Sequence, residues 1–375
     1  MCICNDGLDN FYNIKMIKKT TLLTGAFLFL GIYLFGQQKL KIDTFNFQFE
    51  GKKYSGLIDY PNNEPPKGIV IFVPGDGPTN INDKSWFAYT YFDSLRTSFK
   101  KAGLACVLWD KAGCGKSEGK YDHNQTVQNS AQEIVSAINE LKRQNIPGAS
   151  KIGFWGISRG GYICPLVIQQ YPNIAFWISV SGTDGNDSFP YLLESYLRFA
   201  GKSEPEIKLL IEEKKLMLKI FCSGGSYESY LTSTQNIRKD TLFIKTFNLG
   251  WADSVSYSND QASFIQSKEI VEFDSLTNLV VMVPDFSSVL NTIHCPTLAI
   301  FGEKDHIVDW RKTKALYEST LRKNLGTKYT VKTFKDANHA IYKCKTGAHN
   351  ENLEKWEWAD NYFGTMSAWL KENGF

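Results

Sequence analysis

Ile152-Gly153-Phe154-Trp155-Gly156-Ile157-Ser158-Arg159-Gly160-Gly161 is the stretch on which the fold turns. An apolar run leads directly into Gly-x-Ser-x-Gly, and from Tyr162 to Gln170 the apolar residues fall at helical spacing. Strand, sharp turn and helix with a serine at the apex are the context that a nucleophile elbow requires. Gly156 and Gly160 carry no Cβ, so strand and helix can approach closely around Ser158. Ser158 is expected near positive φ. The helix N-terminus behind it favours the negative charge of an oxyanion. The plain alternative is an ordinary turn serine, and the flanking strand and helix speak for the catalytic one.

Short apolar runs recur at Ile69–Val73, Leu104–Trp109, Phe176–Val180 and Thr297–Phe301. Segments of helical period, Trp86–Lys101 and Thr126–Arg143, separate the early ones. Buried runs alternating with helices predict an α/β fold, a mostly parallel twisted sheet covered on both faces. Residues 40–60 alternate apolar and polar and predict an antiparallel hairpin. The alternation breaks between Gly182 and Leu290. There Ser203-Glu204-Pro205-Glu206 reads as a capping box, and Ile207, Leu210, Ile211 and Leu218 share a helical face. Residues 221–290 are rich in Ser, Asn, Tyr and Phe and carry no clear period. The expected organisation is a leader over 1–36, a core over 37–182, a lid or cap insertion over 183–290, and a second core part over 291–375. A last helix is expected from about Leu353 to Lys371, packing Trp356, Tyr362, Met366 and Trp369 on the sheet.

Composition narrows the function. The chain has 375 residues with a net charge of +3, too little for a nucleic-acid partner, which needs a concentrated basic face. Eight cysteines are too few for a disulfide scaffold, and Cys106, Cys164 and Cys295 lie in or beside apolar runs as expected of buried thiols. Neither His-Glu-x-x-His nor a paired-cysteine metal spacing occurs, so no metal or cofactor is implied. Gly113-Cys114-Gly115-Lys116-Ser117 suggests a P-loop, but that motif needs Gly five residues before Gly115, where Asp110 stands. At the N-terminus, Met16-Ile17-Lys18-Lys19 precedes an apolar run from Leu22 to Phe35 with Gly36 after it. This is the layout of a signal peptide, and the run is shorter than the roughly 20 residues of a spanning helix. The reading is an exported protein, periplasmic or secreted, with an uncleaved leader as its one route to a membrane. Residues 1–15 fit no part of this scheme, and Met16 is a candidate start.

The chain resembles an α/β-hydrolase of the serine esterase and aminopeptidase-like branch, over about 45–182 and 290–375. Besides the elbow, Val73-Pro74-Gly75-Asp76-Gly77-Pro78 stands where that family has its oxyanion loop, with Pro74 in place of the usual His. Asp110-Lys111-Ala112-Gly113-Cys114-Gly115-Lys116-Ser117 matches the family's Asp-x-x-Gly-x-Gly-x-Ser. Gly302-Glu303-Lys304-Asp305 stands where the acid is carried, and His339 follows the strand-like Tyr329–Phe334. The order Ser, Asp, His agrees with the family.

Chemistry selects the same residues. A serine hydroxyl needs a base, and the chain has five histidines, His123, His294, His306, His339 and His349. His339 lies in a polar turn after a strand. His306 adjoins Asp305 too closely for the two to act on each other, and His123, His294 and His349 read as solvated or structural. Asp305 is the expected orienting acid, with Asp184 and Asp309 as rivals. The oxyanion hole is expected from the backbone N–H groups of Asp76 and Arg159, with the Asp76 carboxylate turned away, towards Arg159. Serine at the elbow excludes the aspartyl-ester chemistry of dehalogenases and epoxide hydrolases. The expectation is a serine hydrolase cleaving carboxylic esters through an acyl-enzyme. The alternatives are a peptidase acting on short peptides, whose free-amine recognition would use carboxylates such as Glu194, Glu204, Glu206, Glu212 and Glu213, and an inactive binding module. Aromatic residues of the insertion, among them Phe189, Tyr191, Tyr196, Phe199, Tyr230 and Tyr257, either line an acyl pocket or form the insertion's own core.

Overall fold

Each apolar run becomes a strand because every residue in it can be buried between two layers of helix. The computed structural model describes residues 42–375 except 63, 124, 248–252, 268–271, 275–278, 349–350, 352 and 354. The leader expected over 1–36 and the candidate His349 lie outside the described residues. β1 (Ile42–Phe49) and β2 (Lys52–Asp59) form the expected hairpin. β3 (Gly68–Val73), β4 (Leu104–Trp109), β5 (Ile152–Ile157) and β6 (Trp177–Val180) follow. β7 (Glu272–Asp274) and β8 (Leu279–Val281) make a separate two-stranded ribbon, and β9 (Thr297–Gly302) and β10 (Tyr329–Phe334) complete the main sheet. Its order is β1-β2-β4-β3-β5-β6-β9-β10, parallel from β4 to β10. The hairpin joins antiparallel on β4.

β3 shows how the core divides. Ile69, Ile71 and Val73 point to one face and Val70 and Phe72 to the other, the period of two of a pleated strand. The first face is covered by α2 (Val127–Arg143) and α3 (Gly160–Gln170), through Ile134, Ile138, Cys164 and Ile168. The second is covered by α1 (Tyr89–Lys101) and by the last helix, through Leu95, Phe99, Met366 and Trp369. Helices thus lie on both faces, as expected.

Between β6 and β9 the chain runs through α4 (Phe189–Phe199), α5 (Glu204–Cys222), α6 (Tyr227–Ser233), α7 (Thr241–Phe247), α8 (Ser254–Ser267) and α9 (Phe286–Asn291). Glu206 closes the first turn of α5 by accepting from the Ser203 N–H (2.9 Å) and hydroxyl (2.6 Å). Leu193, Leu197, Ile207 and Leu210 form one apolar cluster and Met217, Phe221, Tyr230 and Tyr257 another. Leu218, expected on the buried face, is half-buried, and its neighbour Met217 fills that place.

After β9 come α10 (Trp310–Tyr317), continued by a π turn over Glu318–Arg322, and α11 (Tyr362–Glu372). The last helix starts nine residues later than expected (362 against 353). An isolated bridge between Tyr342 and Trp358 holds the preceding segment extended, and Asn361 at φ 61° breaks helical continuity just before it. Trp356 is therefore 68% exposed and does not pack on the sheet. The six cysteines among the described residues are free thiols. Cys106, Cys164 and Cys295 are buried. No described helix is long and apolar enough to cross a membrane.

Candidate active site

Asp76, Ser158, Asp305 and His339 each stand in the loop that follows a parallel strand, where an open α/β sheet binds ligands. Ser158 follows β5 at φ 55°. The turn that holds it is closed by the Gly161 N–H donating to the Ser158 carbonyl at 2.7 Å. Its two flanking glycines are required by contact. A Cβ on Gly156 would lie 2.8 Å from Cys164 Sγ, and one on Gly160 would lie 2.9 Å from the Val73 carbonyl oxygen.

Asp305, after β9, is 1% exposed. One carboxylate oxygen accepts from the N–H groups of Ile307 (2.8 Å) and Val308 (3.0 Å). The other meets His339 Nδ1 at 2.8 Å. That bond fixes the imidazole so that Nε2 is the nitrogen left for a substrate or nucleophile. His339 stands in a tight turn whose ends are tied by Asn338, which accepts from the Ala340 and Tyr342 N–H groups. Its carbonyl accepts from the Ser181 hydroxyl at 2.7 Å. Ser181 is the residue after Val180, whose carbonyl accepts the Ser158 N–H at 3.0 Å. Ser181, which sequence reasoning passed over, therefore joins the loop of the base to the strand beside the serine. Its signal in the sequence was only a small polar residue ending an apolar run. The structure joins His339 to Asp305, and among the described residues no hydrogen bond runs from Ser158 Oγ to His339.

The rivals are engaged elsewhere. Asp184 pairs with Lys312 at 2.9 Å. Asp309 accepts from the Lys312 N–H at 3.3 Å at the start of α10. His123 and His294 are exposed. His306 lies 3.2 Å from the Thr346 carbonyl, with its ring edge-on to Phe199.

The loop after β3 lies against the serine. A Cβ on Gly75 would sit 3.2 Å from Ser158 Cβ. The Asp76 carboxylate is 77% exposed and reaches Arg159 at 3.3 Å, so it is turned from the serine as expected. Arg159 also donates to the Gln125 carbonyl. The backbone N–H groups of Asp76 and Arg159 donate to no acceptor among the described residues. The Asp110–Ser117 loop secures this arrangement. Asp110 accepts from the Ile81 N–H at 2.9 Å, and the Ser117 hydroxyl donates to the Asp110 carbonyl at 2.6 Å. Burial raises the Asp110 carboxyl above its usual range.

Beside His339 lies a cavity of about 410 Å³ with an apolar wall that includes Leu192, Tyr196, Phe199, Leu242, Leu353 and Trp356. The aromatic residues between β6 and β9 thus divide. Tyr196 and Phe199 face this cavity, while Tyr230 and Tyr257 belong to an internal cluster. No cluster that could hold a metal ion is present among the described residues.

The family model described as serine aminopeptidase, S33, matches residues 64–343. Among solved structures, the chain is similar to an esterase from Pyrococcus furiosus at 16% identity, covering 89% of this chain and 93% of that one with a TM-score of 0.48. It is also similar to Est1E from Butyrivibrio proteoclasticus with ferulic acid bound, at 14% identity, 88% and 96% coverage and a TM-score of 0.48. A third is a proline iminopeptidase from Mycobacterium smegmatis, at 15% identity, 88% and 98% coverage and a TM-score of 0.48. A curated relative, the acyltransferase drtE from Aspergillus calidoustus, is 22% identical over 130 residues. That match takes 32% of this chain and spans 42% of the relative's length.

Proposed function

The chain belongs to the serine aminopeptidase S33 family, and from that membership we propose that this serine hydrolase cleaves carboxylic esters through an acyl-enzyme. Ser158 attacks the carbonyl carbon while His339 Nε2 takes its proton. Asp305 holds the imidazole and stabilises its charged form. The oxyanion receives the N–H groups of Asp76 and Arg159. His339 then returns the proton to the leaving alkoxide, and a water attacks the acyl-enzyme by the same route in reverse. The observation that carries this reading is the 2.8 Å bond from buried Asp305 to His339 Nδ1, at the same sheet edge as a serine held at φ 55°.

An ester is favoured over a peptide with a free amino terminus by what the candidate carboxylates do. An amine subsite needs an uncommitted one. Glu194 and Glu204 both pair with Arg198. Glu206 is bound to Ser203, and Glu212 pairs with Lys215. Glu213 accepts from Asn236 and from the Ile237 N–H. Glu351, which borders the cavity, accepts from the N–H groups of Lys345, Thr346 and Gly347. The apolar wall beside His339 suits a hydrophobic acyl or alcohol group, and the segment over 183–290 acts as the lid that supplies part of it.

The test is a fluorophosphonate probe and a paired substrate panel. Wild type should label at Ser158 and hydrolyse p-nitrophenyl acyl esters faster than aminoacyl-anilides, and Ser158→Ala should do neither. The opposite substrate order would make the protein a peptidase, and labelling that survives Ser158→Ala would remove the nucleophile. The leader supports export. Expressed in a bacterial host, the protein should leave the cytoplasm, and its mature form should begin near Gln37. A cytoplasmic product starting at Met1 would end that reading.

A further inference from the structure

Lys111, in the Asp110–Ser117 loop, sends its side chain across to the first residues of the loop after β3. Its ammonium donates to the Gly75 carbonyl at 2.6 Å and to the Gly77 carbonyl at 2.8 Å, so it straddles Asp76. It is half-buried, and among the described residues no carboxylate oxygen lies within ion-pair distance of it. Two carbonyls of one short loop are therefore its partners. The same residue's N–H donates to Thr79 Oγ1 at 2.8 Å, which fixes the base from which the side chain extends.

We propose that Lys111 is a positioning residue that aims the Asp76 N–H into the oxyanion hole, a role that rests on the reading of Asp76 as an oxyanion donor. A trans peptide holds its C=O and N–H on opposite sides of one plane. The Gly75 carbonyl and the Asp76 N–H belong to the same peptide. Anchoring the carbonyl on the ammonium turns the N–H the other way and blocks the peptide from flipping. A Cβ on Gly75 would lie 3.2 Å from Ser158 Cβ, so this peptide borders the region where the attacked oxygen becomes negative, and on this proposal its N–H is the donor that the anchor turns there. The loop needs such an anchor because glycines flank Asp76, and Gly77 at φ 95° shows how freely this backbone turns. A positive charge on the carbonyl also polarises the peptide and makes its N–H a stronger donor.

Kinetics on the ester that wild type hydrolyses best decide the matter, with folding followed by circular dichroism. Lys111→Met keeps the apolar stem and removes the anchor. It should lower kcat by about 10²–10³, the usual effect of losing one oxyanion donor, and leave KM within about threefold. Lys111→Arg, which can still bridge two carbonyls, should recover most of the loss. In an Asp76→Pro background, where the donor is already gone, Lys111→Met should add no more than about threefold. A Lys111→Met enzyme with wild-type kcat overturns the proposal. So does a loss that multiplies in full with that of Asp76→Pro, because Lys111 would then act elsewhere. If Lys111→Met does not fold, Lys111→Gln carries the same comparison with the same outcomes. A wild type that neither labels with fluorophosphonate nor turns over any ester or anilide fails the hydrolase reading itself, and the role of Lys111 with it.

Discussion

At the scale of the residue, three aspartates competed for the role of orienting acid, and their surroundings separate them. Asp305 is buried with three hydrogen bonds, one of them to His339. Asp184 and Asp309 are occupied by a lysine side chain and a helix start. Asp305→Asn should lower kcat by roughly 10⁴, because an amide can hold the wrong imidazole tautomer. Asp184→Asn and Asp309→Asn should stay within about tenfold of wild type in steady-state assays, and the reverse ranking would move the acid to another strand. Asp76 separates side chain from backbone in the same way. Asp76→Ala keeps the N–H and loses only an exposed ion pair with Arg159, a contact of small worth, so kcat should fall by about tenfold or less. Asp76→Pro deletes the donor and should cost about 10²–10³ in kcat, once circular dichroism shows the fold intact. A large loss in the alanine variant would mean that the carboxylate itself takes part.

At the scale of the element, the elbow depends on how closely α3 can approach the end of β3. Gly160 sets that distance, since a Cβ there would lie 2.9 Å from a backbone oxygen of Val73 and backbone yields little. Val73 also leads into the loop that carries Gly75 and Asp76. Gly160→Ala should therefore destabilise the protein by about 1–3 kcal/mol, the usual cost of overpacking, and lower kcat by displacing the oxyanion loop. Urea denaturation and ester assays on the purified variant read the two effects separately. Unchanged stability would show that α3 has room to move.

At the scale of the whole molecule, the segment between β6 and β9 buries a charge of its own. Lys214 of α5 is 4% exposed and lies over the Phe189 ring at 5.1 Å. Burial pushes its ammonium from the ordinary 10.5 down to about 8, against the opposing pull of Asp187 and Cys222. Between those two values the unfolded chain holds a proton that the folded one has shed. The contribution of this group to stability therefore rises with pH across that window. Below about 8 the folded state carries the charge in apolar surroundings. Lys214→Met should gain most over wild type at pH 7, by up to about 3 kcal/mol, and the gap should close towards pH 10.5. Denaturant midpoints of both proteins from pH 7 to 10.5 check this, and a gap that stays constant would exclude the titration.

The strands and the serine elbow were legible because their signals are local. A run buried between two layers must be apolar at every residue, and a serine between two close-packing glycines can be read from five positions. Tyr329–Phe334, the half-exposed edge strand, was bounded correctly from its aromatic and β-branched residues. The start of α11 was not, because it depends on a bridge between Tyr342 and Trp358, residues that only the fold brings together. The pairing of Asp305 with His339 crosses 34 residues. Chain order suggested that pair without excluding Asp184 or Asp309, which lost their claim through contacts with Lys312. Ser181 and Lys111 show the same limit at the site. Each works through a backbone carbonyl, and a carbonyl is present at every position, so nothing in the sequence marks which one a hydroxyl or an ammonium will find. Residue type and local period determined the strands and the elbow, and the family resemblance with its chain order offered the candidate triad. Which carboxylates were already engaged, and which backbone groups were left unpaired beside Ser158, was decided by the tertiary structure, because both depend on distances between strand ends far apart in the chain.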